Sequence, residues 1–376
     1  MIIVLKILAF PVGLALVAIA VGSAIKTFVL PRAAPDPVVR VVFVNLRKLF
    51  QLIMRTTPTY EQRDAVMAFY APIGLMLLLP VWLTMIGIGY TLMFWALGSP
   101  SLYEAFKISG SSLLTLGFAT GDHLALALLE FSEATIGLIM VATLIAYLPT
   151  IYSAFSRRES TVAMLEVRAG SPPSAVEMIE RYQRLHGLEH LGDTWDTWEL
   201  WFTEIGESHT SLAALVFLRS PKPQQSWVTA AGAILDSAAL VNAAIDIPHD
   251  LEADLTIRAG YLALRDIADF FLVQYNKAPK STDPISVRRD EFDAALEHMA
   301  ERGVPLKPDR DQAWRDFSGW RVNYDTVLIA LARITMARWA PWSSDRYAVH
   351  RSPLDITPPV PPRPAVRAGR KDGDGR

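Results

Sequence analysis

Ser111-Ser112-Leu113-Leu114-Thr115-Leu116-Gly117-Phe118-Ala119-Thr120-Gly121-Asp122 lies between two long uncharged runs, too polar to cross a bilayer and too apolar for an ordinary external loop. Upstream, Gly98-Ser99-Pro100 punctuates the chain, and Leu102 to Leu114 has room for about three helical turns. Downstream, an apolar helix follows. Short helix, glycine-containing extended segment, acidic residue and long apolar helix, in that order, describe a re-entrant loop. Non-helical backbone at membrane depth is tolerated only where protein buries it or where it lines water.

Three runs on either side of this segment carry no charged residue: Ile7 to Ile25, Ala65 to Leu97 and Ala134 to Ser156. A hydrocarbon core of about 30 Å needs roughly 20 apolar helical residues, so each is long enough to span. The middle run would extend about 50 Å at 1.5 Å per residue, so it must tilt, project or bend, with Pro72 and Pro80 the expected bending points. Lys26, Arg32, Arg40, Arg47, Lys48, Arg55 and Arg63 separate the first two runs, whereas only Lys107 separates the second from the third, and Arg157-Arg158 follow directly. Basic residues favour the cytoplasmic side. The expectation is a multi-pass protein of the cell membrane with its amino terminus outside and everything after about residue 156 in the cytoplasm. A rival reading makes residues 1–24 a cleaved signal peptide, with Lys6 ahead of the apolar stretch and Gly22-Ser23-Ala24 at its end. Cleavage would leave the basic loop outside, so an uncleaved helix fits the charge pattern better.

The divisions that follow are 1–30, an N-terminal transmembrane helix; 31–64, a cytoplasmic linker; 65–158, the transmembrane unit with the loop; 159–351, a helical cytoplasmic domain; and 352–376, a Pro/Arg-rich disordered tail. Within the linker, Val38 to Arg55 places Arg40, Arg47, Gln51 and Arg55 on one side of a helical wheel, with Lys48 at its margin and apolar residues around the rest. That pattern suits a helix at the inner membrane interface, its basic residues toward anionic head groups. The alternative is a cytoplasmic helix packed on the soluble domain.

The loop and its flanks resemble the potassium-channel-like pore-loop superfamily, in its minimal arrangement of outer helix, pore helix, filter and inner helix, over roughly residues 65–158. Thr115-Leu116-Gly117-Phe118, then Gly121-Asp122, is similar to the family's T-V-G-Y-G-D filter, and Phe131-Ser132-Glu133 through Gly137 is similar to the start of its inner helix. With Thr115 to Phe118 aligned, Ala119-Thr120 is a two-residue insertion; anchored on Gly121-Asp122, the first filter glycine is replaced by Ala119. The resemblance implies a selectivity-filter-like segment at Thr115, Leu116, Gly117, Phe118, Ala119, Thr120, Gly121 and Asp122, a permeant monovalent cation, and a homo-tetramer in the lipid bilayer. Both alignments disturb the ladder of backbone carbonyls on which potassium selectivity rests. On the third run, Gly137 and Pro149 are candidate hinges for a gate, because a proline removes one helical hydrogen bond.

From Ser160 to Arg351 the spacing of apolar residues is helical, so the expected class is all-α throughout: a helical transmembrane domain with a re-entrant pore loop, plus an α-helical cytoplasmic domain. Ser174-Ala175-Val176-Glu177 reads as a capped helix start, Trp227 through Val241 as a buried helix, and Trp314 to Trp339 as a last helix. The Trp195, Trp198 and Trp201 series reads as core packing. The formal net charge of -2 gives no basic nucleic-acid face, and with no cysteine the chain has no thiol chemistry or Cys–zinc site. No phosphate-binding glycine motif occurs. His186-Gly187-Leu188-Glu189-His190 matches H-x-x-E-H, in which two histidines one helical turn apart bind zinc and the glutamate acts as base. Glu199, Glu204, Glu207 and His209 are the nearby candidates for a third ligand, and Gly187 and Gly192 favour a helix end and loop instead.

The leading expectation is therefore an oligomeric, cation-permeable channel, not an enzyme, with no resident cofactor and with a helical cytoplasmic domain that regulates or assembles the pore. The alternatives are a membrane-anchored metallohydrolase using His186, Glu189 and His190, and a non-conducting scaffold.

Overall fold

The structure is a computed structural model that describes residues 2–30, 36–57 and 59–346. The tail expected to be disordered, 352–376, lies outside the described residues. Among those described, the regular elements are helices with no strand; only an isolated antiparallel bridge pairs Ile245 with Leu306.

The apolar half comprises α1 (Ile2–Phe28), α2 (Pro37–Met54), α3 (Tyr60–Ala68), α4 (Tyr70–Ala96), α5 (Leu102–Leu113) and α6 (Leu124–Ala169). Small residues let α1 and α4 approach backbone to backbone: a Cβ on Gly89 would stand 2.7 Å from the Gly13 carbonyl. Two polar bonds fix the lower end of this pair. Trp82 Nε1 donates to Ser23 Oγ at 2.9 Å, and Ser23 Oγ donates to Asp36 Oδ1 at 2.7 Å. The same Asp36 oxygen caps α2 by accepting from the Val38 and Val39 N–H groups.

The long middle run is interrupted at Phe69, between α3 and α4, in the turn before Pro72, whose missing N–H leaves the Ala68 carbonyl without its helical donor. Pro72 falls in the first turn of α4, where no intrahelical N–H bond is needed, and α4 continues through Pro80. Likewise α6 outruns its expected span. Its 46 residues reach roughly 70 Å, more than twice the hydrocarbon thickness, and it passes Gly137 and Pro149 without ending.

The second half packs α7 (Ala175–Arg184), α8 (Gly192–Ser211), α10 (Leu251–Phe270), α11 (Arg289–Glu301), α12 (Arg310–Arg321) and α13 (Asp325–Thr335) around α9 (Trp227–Ala244), every residue of which is buried. Ser174 caps α7 as its spacing indicates, accepting from Glu177 N–H. Trp195, Trp198 and Trp201 are buried in this core. The expected single last helix is two, α12 and α13, separated at Val322 to Tyr324. There the Asn323 side chain caps the Gly319 and Trp320 carbonyls at 3.1 Å, and Arg265 Nε donates to the Asn323 carbonyl at 2.9 Å.

Among the described residues, four segments are long and apolar enough to cross a membrane, but they differ in how much of themselves they bury. The segments containing α1, α4 and α6 have 22%, 33% and 22% of their apolar windows enclosed by the chain, whereas α9 has 94%. A helix that is apolar all round needs a core or a lipid phase around it. The protein supplies that core for α9; the other three keep their apolar surface outward, which is compatible with a membrane protein.

The two halves meet through arginines. Arg47 on α2 donates to the Ile334 carbonyl at 3.0 Å, and Arg219 bonds Asp64 and the Thr335 carbonyl, each at 2.7 Å. These carbonyls end α13, where the helix dipole favours a cation. Arg47 is thus docked on the helical half and Gln51 is buried, while Arg40, Lys48 and Arg55 stay exposed beside Val41, Leu49 and Leu52.

Candidate functional site

The loop from Leu114 to His123 is strapped to the helices on either side of it. Helix α5 starts at the Ser101 cap and ends at Leu113, and Thr115 then takes a left-handed backbone, φ 54°. That conformation costs a threonine roughly 1–2 kcal/mol. Gly117 is also left-handed at φ 71°, where a glycine carries no such penalty.

Ser111 holds the first part of the loop. Its carbonyl accepts from Leu116 N–H at 2.8 Å and its hydroxyl accepts from Ala119 N–H at 3.0 Å. Glu130, on α6, holds the second part: Oε1 accepts from Gly121 N–H at 2.6 Å, and the Glu130 carbonyl accepts from Ser112 Oγ at 2.6 Å. The Leu126 side chain presses directly on Gly121, where any Cβ would collide with it.

Behind the loop, α5 is sandwiched between α4 and α6. A Cβ on Gly137 would stand 2.6 Å from the Leu113 carbonyl, so Gly137 is the close-approach point of α5 and α6. Ser109 Oγ lies 2.6 Å from Glu133 Oε1 and 3.0 Å from the Gly87 carbonyl, joining all three helices. Glu133 is fully buried, and its Oε2 has no hydrogen-bond partner.

The loop's other face is uncovered. Leu114, Leu116 and Phe118 are 56%, 61% and 64% exposed, large values for apolar side chains in one contiguous stretch. Asp122 is exposed as well. The structure thus brings Thr115 to Gly121 together with Ser111 and Glu130, while Pro149 lies farther along α6.

The H-x-x-E-H residues do not share a helical face. His186 is left-handed at φ 54°, Leu188–His190 is a 3-10 turn, and His186, Glu189 and His190 are all exposed. His209, one of the possible third ligands, is fully buried elsewhere. Among the described residues no group of three or more His, Asp or Glu side chains is placed to hold a metal ion.

Beyond the loop, one buried cation connects α6 to the helical half. Arg158 Nη1 donates to the Leu215 carbonyl at 2.7 Å and Nη2 to the Leu218 carbonyl at 2.6 Å, while Nε bonds Glu159 at 2.8 Å. Nη1 also reaches His209 Nε2 at 3.1 Å, and Trp201 Nε1 donates to the Arg158 carbonyl at 3.2 Å.

Glu130 was not among the residues singled out, and Ser111, Glu133 and Arg158 were named only as the pore-helix end, the inner-helix start and a basic flank, without these roles. The available signal was the presence of two carboxylates at the start of a long apolar helix, since ionisable residues within such segments are expensive and usually face protein or water. No family model matches the chain, and neither a curated protein nor a solved structure matches it.

Proposed function

We propose that this chain is a subunit of an oligomeric, cation-permeable membrane channel in which residues 114–122 form a re-entrant pore loop. The observation that carries the reading is the one-sided attachment of that loop. Its inner side is bonded to Ser111 and Glu130, while Leu114, Leu116 and Phe118 are each more than half exposed. Four copies around an axis would cover these side chains and bring the loop backbones together around water, satisfying the condition on non-helical backbone at membrane depth.

In this reading α4, α5 and α6 serve as outer, pore and inner helix, as in the potassium-channel-like pore-loop superfamily, and a monovalent cation passes the Thr115 to Gly121 backbone. Potassium selectivity is the finer part of the proposal. The exposed Asp122 would raise the local cation concentration at the outer mouth. The amino terminus lies outside, and the helical half lies in the cytoplasm, where α6 runs directly into it and transmits its state to the pore.

Purified full-length protein in liposomes tests this by cation flux under a potassium or sodium gradient, with native mass measurement of the detergent-solubilised assembly. The expected result is a tetramer that conducts, with flux reduced at least tenfold by Gly117→Val, whose left-handed position rejects a β-branched residue. A monomer without flux overturns the proposal. A tetramer without flux would mean a scaffold that keeps the arrangement without conducting.

A further inference from the structure

Helix α2 is tied to one end of the apolar half. Its cap, Asp36, is bonded to Ser23 near the C-terminal end of α1, and the hydroxyl of Tyr70, the first residue of α4, donates to the Phe43 carbonyl at 3.1 Å. A Cβ on Gly74, one turn into α4, would run into the Phe43 ring. In the proposed topology these are the points at which two spans leave the hydrocarbon, so α2 lies at that boundary.

The circumference of α2 divides into three strips. At 3.6 residues per turn, Leu46, Phe50 and Met54 form one and are packed to 6% exposure or less. Val41, Leu49, Leu52 and Ile53 form the second, with Val41 and Leu52 at 59% and 58% exposure. Arg40, Lys48 and Arg55 form the third and are exposed as well. A contiguous apolar strip left open marks an interaction surface. Running beside a basic strip, it is the pattern of a helix set in a headgroup layer.

The charge on this face has no answer within the chain. Asp36 is the only acid among residues 1–60, and its Oδ1 already accepts from Ser23 Oγ and from the Val38 and Val39 N–H groups. The next two acids are also engaged, Glu61 with Arg338 at 3.5 Å and Asp64 with Arg219 at 2.7 Å. Among the described residues, none of Arg40, Lys48 and Arg55 is in an ion pair. We propose that α2 is a docking surface for anionic phospholipids, with Val41, Leu49, Leu52 and Ile53 against the acyl chains and Arg40, Lys48 and Arg55 paired with headgroup phosphates. The proposal rests on α1 and α4 crossing the membrane and not on the loop conducting. Because Arg47 of the same helix bonds the end of α13, lipid bound here would also fix the helical half against the membrane.

The test uses full-length protein in bilayers of phosphatidylcholine alone and of equimolar phosphatidylcholine and phosphatidylglycerol. The chain has no cysteine, so Leu52→Cys carries a single nitroxide label. In the mixed bilayer that label should be relaxed by oxygen and shielded from a water-soluble nickel chelate, whereas a label at Leu262→Cys, an exposed position on α10, should show the reverse. Native mass measurement of protein released from the mixed bilayer should find phosphatidylglycerol retained over phosphatidylcholine. Each basic residue near an anionic surface contributes a factor of about five, so replacing all three by glutamine should reduce that preference at least tenfold. A preference that survives the triple substitution overturns the assignment. So does a Leu52 label reached by the chelate as readily as the one at Leu262, which would give the face to a soluble partner. Neither readout uses ion flux, so failure of the loop to conduct leaves this result intact.

Discussion

The backbone N–H of Gly121 donates to Oε1 of Glu130 across 2.6 Å, so a carboxylate on α6 holds the far end of the loop in register with the helix that follows it. A hydrogen bond to a charged acceptor contributes about 1.5–3 kcal/mol. Glu130→Ala is therefore expected to speed amide hydrogen exchange across 114–121 by roughly tenfold to a hundredfold. Glu130→Gln keeps an acceptor and should stay within a few-fold of the parent. Equal protection in all three proteins would remove Glu130 from its role in positioning the loop.

Close approach at Gly137 sets a second expectation. Any side chain there drives a Cβ to 2.6 Å from the Leu113 carbonyl, a backbone atom at the end of α5 that cannot swing aside. Gly137→Ala should destabilise the apolar half by about 1–3 kcal/mol, the usual cost of overpacking. Leu138→Ala, at a neighbouring position that is 61% exposed, provides the comparison. A thermal midpoint for Gly137→Ala no lower than that of Leu138→Ala would count against the packing role and favour a hinge at Gly137.

Arg158 is the polar joint between α6 and the helical half, buried at 2% exposure with two backbone carbonyls, Glu159 and His209 as partners. Arg158→Met leaves those groups buried without their donor. The expected cost is about 3–5 kcal/mol, and Arg158→Lys should recover little of it because a single ammonium cannot reproduce the planar fork. Chemical denaturation followed through tryptophan fluorescence measures both. Full recovery by lysine would show that charge alone, and not the geometry of the joint, carries the contribution.

Much of this architecture is readable from charge and spacing, and the misreadings have physical causes. Uncharged runs locate α1, α4 and α6 because lipid and core both exclude bare charges, and Ser174 announces α7 because its cap is local chemistry. The length of α6 was not readable: beyond Phe155 the helix packs on the helical half, so its composition changes while its backbone does not. The interruption at Phe69 falls in the turn before Pro72, one of the two expected bending points, whereas α4 runs on through Pro80, the other. The H-x-x-E-H pattern assumed a helical face, and the left-handed His186 with the Leu188–His190 turn removes it. Within the loop, the glycines marked where the chain turns, but Ser111 and Glu130 act by bonding backbone N–H groups eight and nine residues away, a relationship that no short motif encodes.

His209 gives the joint a pH dependence of definite sign. It is fully buried, its ring 4.8 Å from the Trp227 ring, and its Nε2 accepts from Arg158. Burial first, and the Arg158 charge second, hold the imidazole well below its usual value of 6.5. In the unfolded chain the same ring titrates normally. Between the two values the unfolded state binds the extra proton, so stability rises with pH and is lost as pH falls below 6.5 toward the depressed value. The slope from this one group is about 1.4 kcal/mol per pH unit in that window. Replacing the ring with a non-titrating acceptor, His209→Asn, should leave a melting midpoint that changes less between pH 6.5 and about 5 than the parent's, whatever the other groups contribute to both. Parallel midpoint curves for the two proteins across that range would mean that His209 carries its proton in the folded state, and the Arg158 contact would then have to be abandoned.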